Sequence, residues 1–420
     1  MAAPMAASIF DINLRARTAV LASLAVLATV LTIVPTAPAQ TLHVLHNFTG
    51  PDGWSPDGAL VRDRAGNFYG TTDAGGAIDR GTVFRLSRAG SGWILTTLYS
   101  FQGQADGCFP SAGVVFGPDG ALYGTTYECG QYGHGTVFRV RPSPSPCRAT
   151  LCPWEETVLH NFTDGADGGN PVGNVVFDQA GNLYGATPTG GYGLGLVYEL
   201  SPSNGGWTER VLWDFTGFGG INPYSALIFD NAGNLYGTTY NGAGDYGGEV
   251  YELSPSGSGW TQQVLSPIEF MATATCGGVV MDARGNLFGA SGCDDLGLPG
   301  GVYELTPSNG SWTFNVLYTV SGSQGPADTP TLDAAGNVYA TSSGTGLYSY
   351  GQVLKLTPSD GGWIYTDLHD FTNGADGSYP PGSVLLDGNG NLYGTTLYGG
   401  TGPCTINTYT GCGVVWEITP

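Results

Sequence analysis

Asp230-Asn231-Ala232-Gly233-Asn234-Leu235-Tyr236-Gly237-Thr238-Thr239 reads as a tight turn running into a short strand. Glycine accepts a positive φ and Asp and Asn side chains bond nearby backbone, so the first five residues reverse the chain. The motif opening at Gly233 recurs with small variations at Gly66, Gly120, Gly181, Gly285, Gly336 and Gly390, at intervals of 51 to 61 residues. A fixed period of this length marks a repeat architecture. The longest interval holds an insertion, residues 142–153, that Cys147 and Cys152 could clamp.

Each period reads as four strands. In the fourth copy, Ser225-Ala226-Leu227-Ile228-Phe229 is an unbroken apolar run, expected to be covered on both faces. The motif supplies the second strand. Glu249-Val250-Tyr251-Glu252-Leu253 alternates and makes the third, and Trp260 opens the fourth. Four antiparallel strands repeated seven times predict an all-β fold, a seven-bladed β-propeller. The alternative is a solenoid of stacked repeats. The chain ends favour the ring. The fourth-strand pattern starts at Trp93, Trp154, Trp207, Trp260, Trp312 and Trp363, and the last repeat lacks one. Its missing tail stands near the other end, where Leu45-His46-Asn47-Phe48 matches Leu159-His160-Asn161-Phe162. The first strand is therefore expected to complete the last blade and close the ring, removing two exposed edges.

Composition narrows the setting. Among 420 residues there are 70 glycines, 13 basic and 34 acidic side chains, and a formal net charge of −21. Such a charge argues against nucleic acid or an anionic membrane as partner, since both need a positive field. Arg15 and Arg17 precede an apolar run, residues 18–34, and Ala37-x-Ala39 fits a signal cleavage site before Gln40. We expect a signal peptide over 1–39 and one propeller domain over 40–420, secreted or periplasmic, monomeric and without stable membrane insertion. Eight cysteines agree with export. Proximity along the chain pairs Cys108 with Cys129, Cys147 with Cys152, Cys276 with Cys293, and Cys404 with Cys412.

These units resemble the GloVer tandem-repeat family of exported bacterial proteins. The resemblance rests on Gly-Asn-Leu-Tyr-Gly-Thr-Thr, a following Gly-Gly, and Gly-x-Val-Tyr/Phe-x-Leu, as in residues 233–239 and 248–253. It covers nearly all of the chain after residue 39 and implies a repeat scaffold with no catalytic residue to carry over. The strand order is also similar to the kelch layout.

In a four-stranded blade the loops alternate between two faces. Turns between strands one and two, and three and four, nearly repeat themselves. The opposite face carries the loops between strands two and three and those between blades, and there the copies diverge, which is where binding is usually built. The candidate ligand-binding residues on that face are Asp106, Glu128, Tyr132, His134, Asp164, Asp167, Tyr192, Asp245, Tyr246, Tyr350 and Asp376. Tyr127, Tyr240, Asp294, Asp295, Tyr348, Tyr398 and Tyr409 lie there too. Tyrosine rings stack on apolar sugar faces and carboxylates accept hydroxyl protons, so the mixture suits a glycan. Asp164-Gly165-Ala166-Asp167-Gly168 and Asn373-Gly374-Ala375-Asp376-Gly377 invite calcium but match no full calcium-loop pattern. No cofactor is expected.

The remaining signals are structural. Asp63, Asp178, Asp230, Asp282, Asp333 and Asp387 recur at one turn, and His46, His160 and His369 share a position filled elsewhere by aromatics such as Tyr99. The GxGxxG at 242–247 leads into a strand, which fails the dinucleotide test. The expected function is an exported non-enzymatic propeller that binds or scaffolds an extracellular carbohydrate or surface protein. The alternative is a polysaccharide hydrolase or lyase with carboxylates around the central channel. Three or more inward acids with a histidine or arginine would favour the enzyme. A channel of glycine and small residues would favour the binder.

Overall fold

The computed structural model describes residues 40–143, 153–242, 247–267, 274–292, 300–320, 325, 328–406 and 408–420. The expected signal segment, 1–39, and the Cys147–Cys152 clamp lie outside them. Contacts divide the chain into a propeller unit, Leu42–Thr419, and a remainder of Met1–Thr41 with Pro420. The described residues hold strands and no helix. They form a seven-bladed β-propeller of antiparallel blades.

The fourth blade shows the construction. Its strands are Ile228–Phe229, Leu235–Asn241, Glu249–Ser256 and Gly259–Pro267, with a further short strand, Ile221–Pro223, beside the second. The turn into the second strand is held by one carboxylate. Asp230 Oδ1 accepts from the backbone N–H groups of Ala232 and Asn234, each at 2.8 Å. Its Oδ2 accepts from Asn234 Nδ2 at 2.8 Å and Tyr236 Oη at 3.2 Å. Asp63, Asp178, Asp333 and Asp387 do the same for Asn67 and Tyr69, Asn182 and Tyr184, Asn337 and Tyr339, and Asn391 and Tyr393. The recurrence of Asp, Asn and Tyr in the motif is thus one hydrogen-bonded turn built repeatedly.

The motif's glycine and threonines have separate tasks. Gly237 pairs across the ladder with Tyr251, and the same pairing sets Gly70 against Phe84, Gly124 against Phe138, Gly185 against Tyr198, Gly289 against Tyr303 and Gly394 against Trp416. A β-carbon at Gly185 would lie 2.4 Å from Tyr198 Oη, so the missing side chain is the room the ring occupies. In the sixth blade the pair is Ala340 and Leu354: where a methyl fills the space, the ring is gone. The first threonine reaches the next blade, as when Thr71 Oγ1 donates to Ala112 O at 2.6 Å and Thr238 Oγ1 to Gly277 O at 2.8 Å.

Second strands such as Phe68–Thr72 and Leu392–Thr396 are buried at every position. The run expected to be covered on both faces, Ser225 to Phe229, is instead one-sided. Ser225 and Leu227 are buried, while Tyr224, Ala226 and Ile228 keep intermediate exposure. The reason is that the first strand is innermost, and its alternate side chains look into the channel.

Seven apolar clusters each join two successive blades. One holds Tyr184, Val197 and Phe215 with Leu227, Leu235 and Tyr251. Another holds Phe68, Phe84 and Leu86 of the first blade with Tyr393 and Val415 of the last. Sheet packed on sheet, repeated around the axis, is where the hydrophobic stabilisation sits. In the last blade the strand order is Thr41–Asn47, Val414–Thr419, Leu392–Thr396, Leu385–Leu386. Phe48 N donates to Gly413 O at 3.1 Å just beyond that edge.

Candidate functional site

A cavity of about 460 Å³ is lined by residues from all seven blades, which places it on the propeller axis. The lining comes from the segment that enters each first strand: Asp57 to Ala59, Ser111 to Gly113, Val172 to Asn174, Tyr224 and Ala226, Cys276 and Gly278, Asp328 and Thr329, and Pro381 and Ser383. Tyr127, from a loop between strands two and three, reaches the same space. The cavity therefore opens on the variable-loop face. Its position follows from the alternation that turns Tyr224 and Ala226 inward while Ser225 and Leu227 pack outward.

Most of the wall is glycine and small side chains, and among the described lining residues two are carboxylates and none is basic. Burial, reinforced by the charges of Asp73 and Asp328, pushes the Asp57 carboxyl up to about 8. Burial also lifts Asp328 to about 6, against hydrogen bonds from Thr329 and Ser383 that oppose the rise. Asp73 is raised to about 6 by burial and by Glu128 and Asp79. Tyr224 and Tyr398 are raised by burial first, and both feel the Asp57 charge. Acids and phenols thus crowd the channel mouth with no countercharge in its described lining.

The other acids of this face are largely spent on its architecture. Asp106 accepts from Tyr99 Oη at 2.9 Å and Gln102 N at 2.7 Å. Asp167 meets His160 Nε2 at 3.2 Å and Thr163 N at 3.1 Å, and Asp376 meets His369 Nε2 at 3.1 Å and Thr372 N at 3.0 Å. Asp52 holds His46 and Thr49 in the same way. Each ring also packs edge-on against a phenylalanine: His46 on Phe48, His160 on Phe162, His369 on Phe371. The inner carboxylates of the two loops that invited calcium are engaged in this way, and the described residues contain no group of three His, Cys, Asp or Glu able to hold a metal.

The remaining candidates scatter. His134 Nδ1 stands 4.0 Å from Asp164 Oδ2, and Glu128 is exposed. Tyr132 and Tyr192 project into solvent at 53% and 75% exposure. Tyr350 packs edge-on against Tyr379, which touches the stacked pair Tyr398 and Tyr409. Asp245, Tyr246, Asp294 and Asp295 lie outside the described residues. The residues missed from sequence are Asp57, Tyr224 and Asp328. A signal was present: the position after Pro56, Pro110, Pro171, Pro223 and Pro380 holds Asp57, Ser111, Val172, Tyr224 and Pro381, varying inside an otherwise repeating segment.

Two disulfides stiffen the face, Cys108–Cys129 and Cys404–Cys412. Cys276 is also disulfide-bonded, and its expected partner Cys293 lies outside the described residues.

The acids set a pH dependence. Unfolded aspartates release their protons near ~3.9, whereas folded Asp57, Asp73 and Asp328 hold theirs to about 8, 6 and 6. The folded state binds more protons across that range, so stability falls as pH rises through it. The turn acids Asp63, Asp230, Asp333 and Asp387 act oppositely. Burial raises them, but their donors outweigh it and hold them below the ordinary value, so their contribution is lost as pH falls through the folded values. The melting temperature is expected to be highest near pH ~5 and several degrees lower at pH ~8. A flat profile between those values would contradict these assignments.

The family model described as the Gloeobacter/Verrucomicrobia repeat matches residues 27–152 and 148–326. No curated protein matches the chain. Solved structures of similar fold include a putative gluconolactonase at 14% identity and TM-score 0.42, covering 92% of this chain and 94% of that one. A gluconolactonase from Xanthomonas campestris aligns at 12% identity and TM-score 0.42, over 90% of this chain and 89% of that one. A protein of unknown function from Dyadobacter fermentans aligns at 12% identity and TM-score 0.46, over 91% of this chain and 100% of that one. At these values the likeness concerns fold and carries nothing about chemistry.

Proposed function

The chain belongs to the Gloeobacter/Verrucomicrobia repeat family, and within that family we propose that it is an exported, non-enzymatic propeller that binds an extracellular glycan at the mouth of its channel. The observation that carries this is the lining itself: Tyr127 and Tyr224 beside Asp57, Asn174 and Asp328 in a cavity otherwise walled by small residues. Rings supply flat apolar area for a sugar face, and the polar groups and exposed backbone fix its hydroxyls. A hydrolase or lyase needs an acid and a base poised near a third group that orients them. Here the described lining offers two acids and no histidine or arginine, which fits a binder better.

Export rests on residues 1–39 as a signal peptide and on the disulfides, which persist in oxidising compartments. No helix among the described residues is long and apolar enough to cross a membrane.

A glycan array probed with the purified protein is the direct test. Tyr224→Ala is expected to weaken the strongest hit about tenfold, since an aromatic contact of ~1.4 kcal/mol is a factor of ten in affinity. Tyr192→Ala, on the same face but far out in solvent, should leave binding unchanged. A silent array, or equal binding by the Tyr224→Ala variant and the parent, would remove the proposal.

A further inference from the structure

We infer that the channel mouth recognises a free amine, and that its ligand class is a glycan bearing unacetylated amino sugars. This rests on the glycan reading above and narrows it to a charge state.

The first argument is Asp57. Three acids elsewhere on this face are engaged by their own loops: Asp106, Asp167 and Asp376 each accept from a ring and from backbone donors. Asp328, on the same cavity, accepts from Thr329 N at 2.6 Å. The Asp57 carboxyl has no hydrogen-bond partner among the described residues. It is enclosed by the protein, and its remaining exposure opens on the cavity that it lines. A carboxylate on a cavity wall with no donor from the protein leaves its hydrogen bonds to be supplied from within the cavity, by water or by a ligand.

The second argument is the sign of the field. Asp73 and Asp328 act on Asp57, and Glu128 and Asp79 on Asp73, as like charges that oppose ionisation, so the potential at the mouth is negative and a cation would relieve it. No lysine, arginine or histidine stands among the described lining residues. The whole chain carries a formal charge of −21. A uronic or sulfated sugar would be repelled, and a neutral sugar would leave Asp57 either unpaired or holding a proton. An ammonium group carries three donors and no acceptor, which matches a site of acceptors alone. Its bond to a carboxylate is charge-assisted.

The third argument is the rings. Tyr127 and Tyr224 line the cavity, Tyr224 lies 5.6 Å from Tyr240 between ring centres, and Tyr398 is near enough to feel Asp57. Tyrosine faces attract a cation as well as the apolar face of a pyranose. A bare metal ion would gain nothing from them, and two carboxylates are a thin ligand set for one.

The deciding experiment is isothermal titration with short oligosaccharides of one backbone: fully deacetylated glucosamine oligomers, their N-acetylated counterparts, and neutral cello-oligosaccharides. The deacetylated series is expected to bind at least about tenfold more tightly than either other series. Asp57→Asn should bring it down to the level of the acetylated one. That substitution removes only one of many negative charges, so loose attraction of a polycation to an acidic protein would barely change, whereas a bond at this site is lost. A melting curve checks that the variant folds, and it is expected to melt no lower than the parent at pH ~8, because a buried unpaired acid has been neutralised.

Equal binding of the three series, weakened in all by Tyr224→Ala, would overturn the amine and leave the glycan reading standing. No binding by any series, with a silent array, would overturn both. A calcium-dependent rise in melting temperature that Asp57→Asn abolishes, with no oligosaccharide bound, would assign the site to a metal ion and overturn the inference.

Discussion

Removal of residues 40–48 is expected to leave a chain that does not fold as a soluble monomer. Those residues carry the outer strand of the last blade, which lies beside Val414–Thr419. They are also embedded in two apolar layers. Leu42 and Val44 pack on the cluster that contains Trp416 and Ile418, and Leu45 and Phe48 belong to the one joining the last blade to the first. Phe48 is fully buried. Asn47 Oδ1 accepts from Thr401 N at 2.8 Å, and His46 is tied to Asp52. Burying one large apolar side chain contributes about 1.5–3 kcal/mol, so four partly or fully buried ones rival the ~5–15 kcal/mol net stability of a typical domain. Truncation would also expose the edge of Val414–Thr419 for pairing with other chains. The measurement is the oligomeric state and thermal unfolding of the truncated protein, with a synthetic 40–49 peptide added in trans. The peptide is expected to restore a cooperative transition. A truncated monomer that melts within a few degrees of the parent would show that this strand is ornamental.

Gly185→Ala is expected to destabilise the propeller by about 1–3 kcal/mol, the usual cost of overpacking a filled core. The new methyl would lie 2.4 Å from Tyr198 Oη and 2.6 Å from its Cζ. Tyr198 is fully buried, packed on Phe162 with ring centres 5.2 Å apart, and cannot swing away. The sixth blade shows the compatible solution, alanine opposite leucine at positions 340 and 354. Tyr198→Leu alone gives up the ring but also removes a buried hydroxyl that has no hydrogen-bond partner among the described residues. The double variant, Gly185→Ala with Tyr198→Leu, should therefore cost less than the sum of the two single changes. Urea unfolding of the four proteins measures the coupling. Additive costs would mean that the pair does not share the space the geometry assigns to it.

The fold was legible because it is written in local, repeated chemistry. A turn built on Asp, Gly and Asn within five residues, and a glycine three residues after that Asn under a cross-strand ring, leave the same letters in most blades. The strand split between the chain ends was legible for the same reason, since one repeat lacked its fourth strand and the other end supplied it. The site was legible only by region. Sequence pointed to the variable face and to its tyrosines and acids, and the channel opens there. It could not separate Asp106, Asp167 and Asp376, which hold their own loops, from Asp57, which holds nothing. Nor could it show Tyr132 and Tyr192 standing in solvent while Tyr224 turns inward.

What the sequence determined by itself is the repeat: seven blades, their strand order, the turn acids, and a formal net charge of −21. Those follow from neighbours along the chain, where hydrogen bonds and alternation act over a few residues. What only the tertiary structure decided is which acids are left over. Asp57 and Asp328 belong to the first and sixth blades and line one cavity because the ring brings the inner strand of every blade to one axis, yet Asp328 finds donors in Thr329 and Ser383 while Asp57 finds none among the described residues. Whether a carboxylate is satisfied depends on the donors around it in space, and at the axis its surroundings are built by every blade.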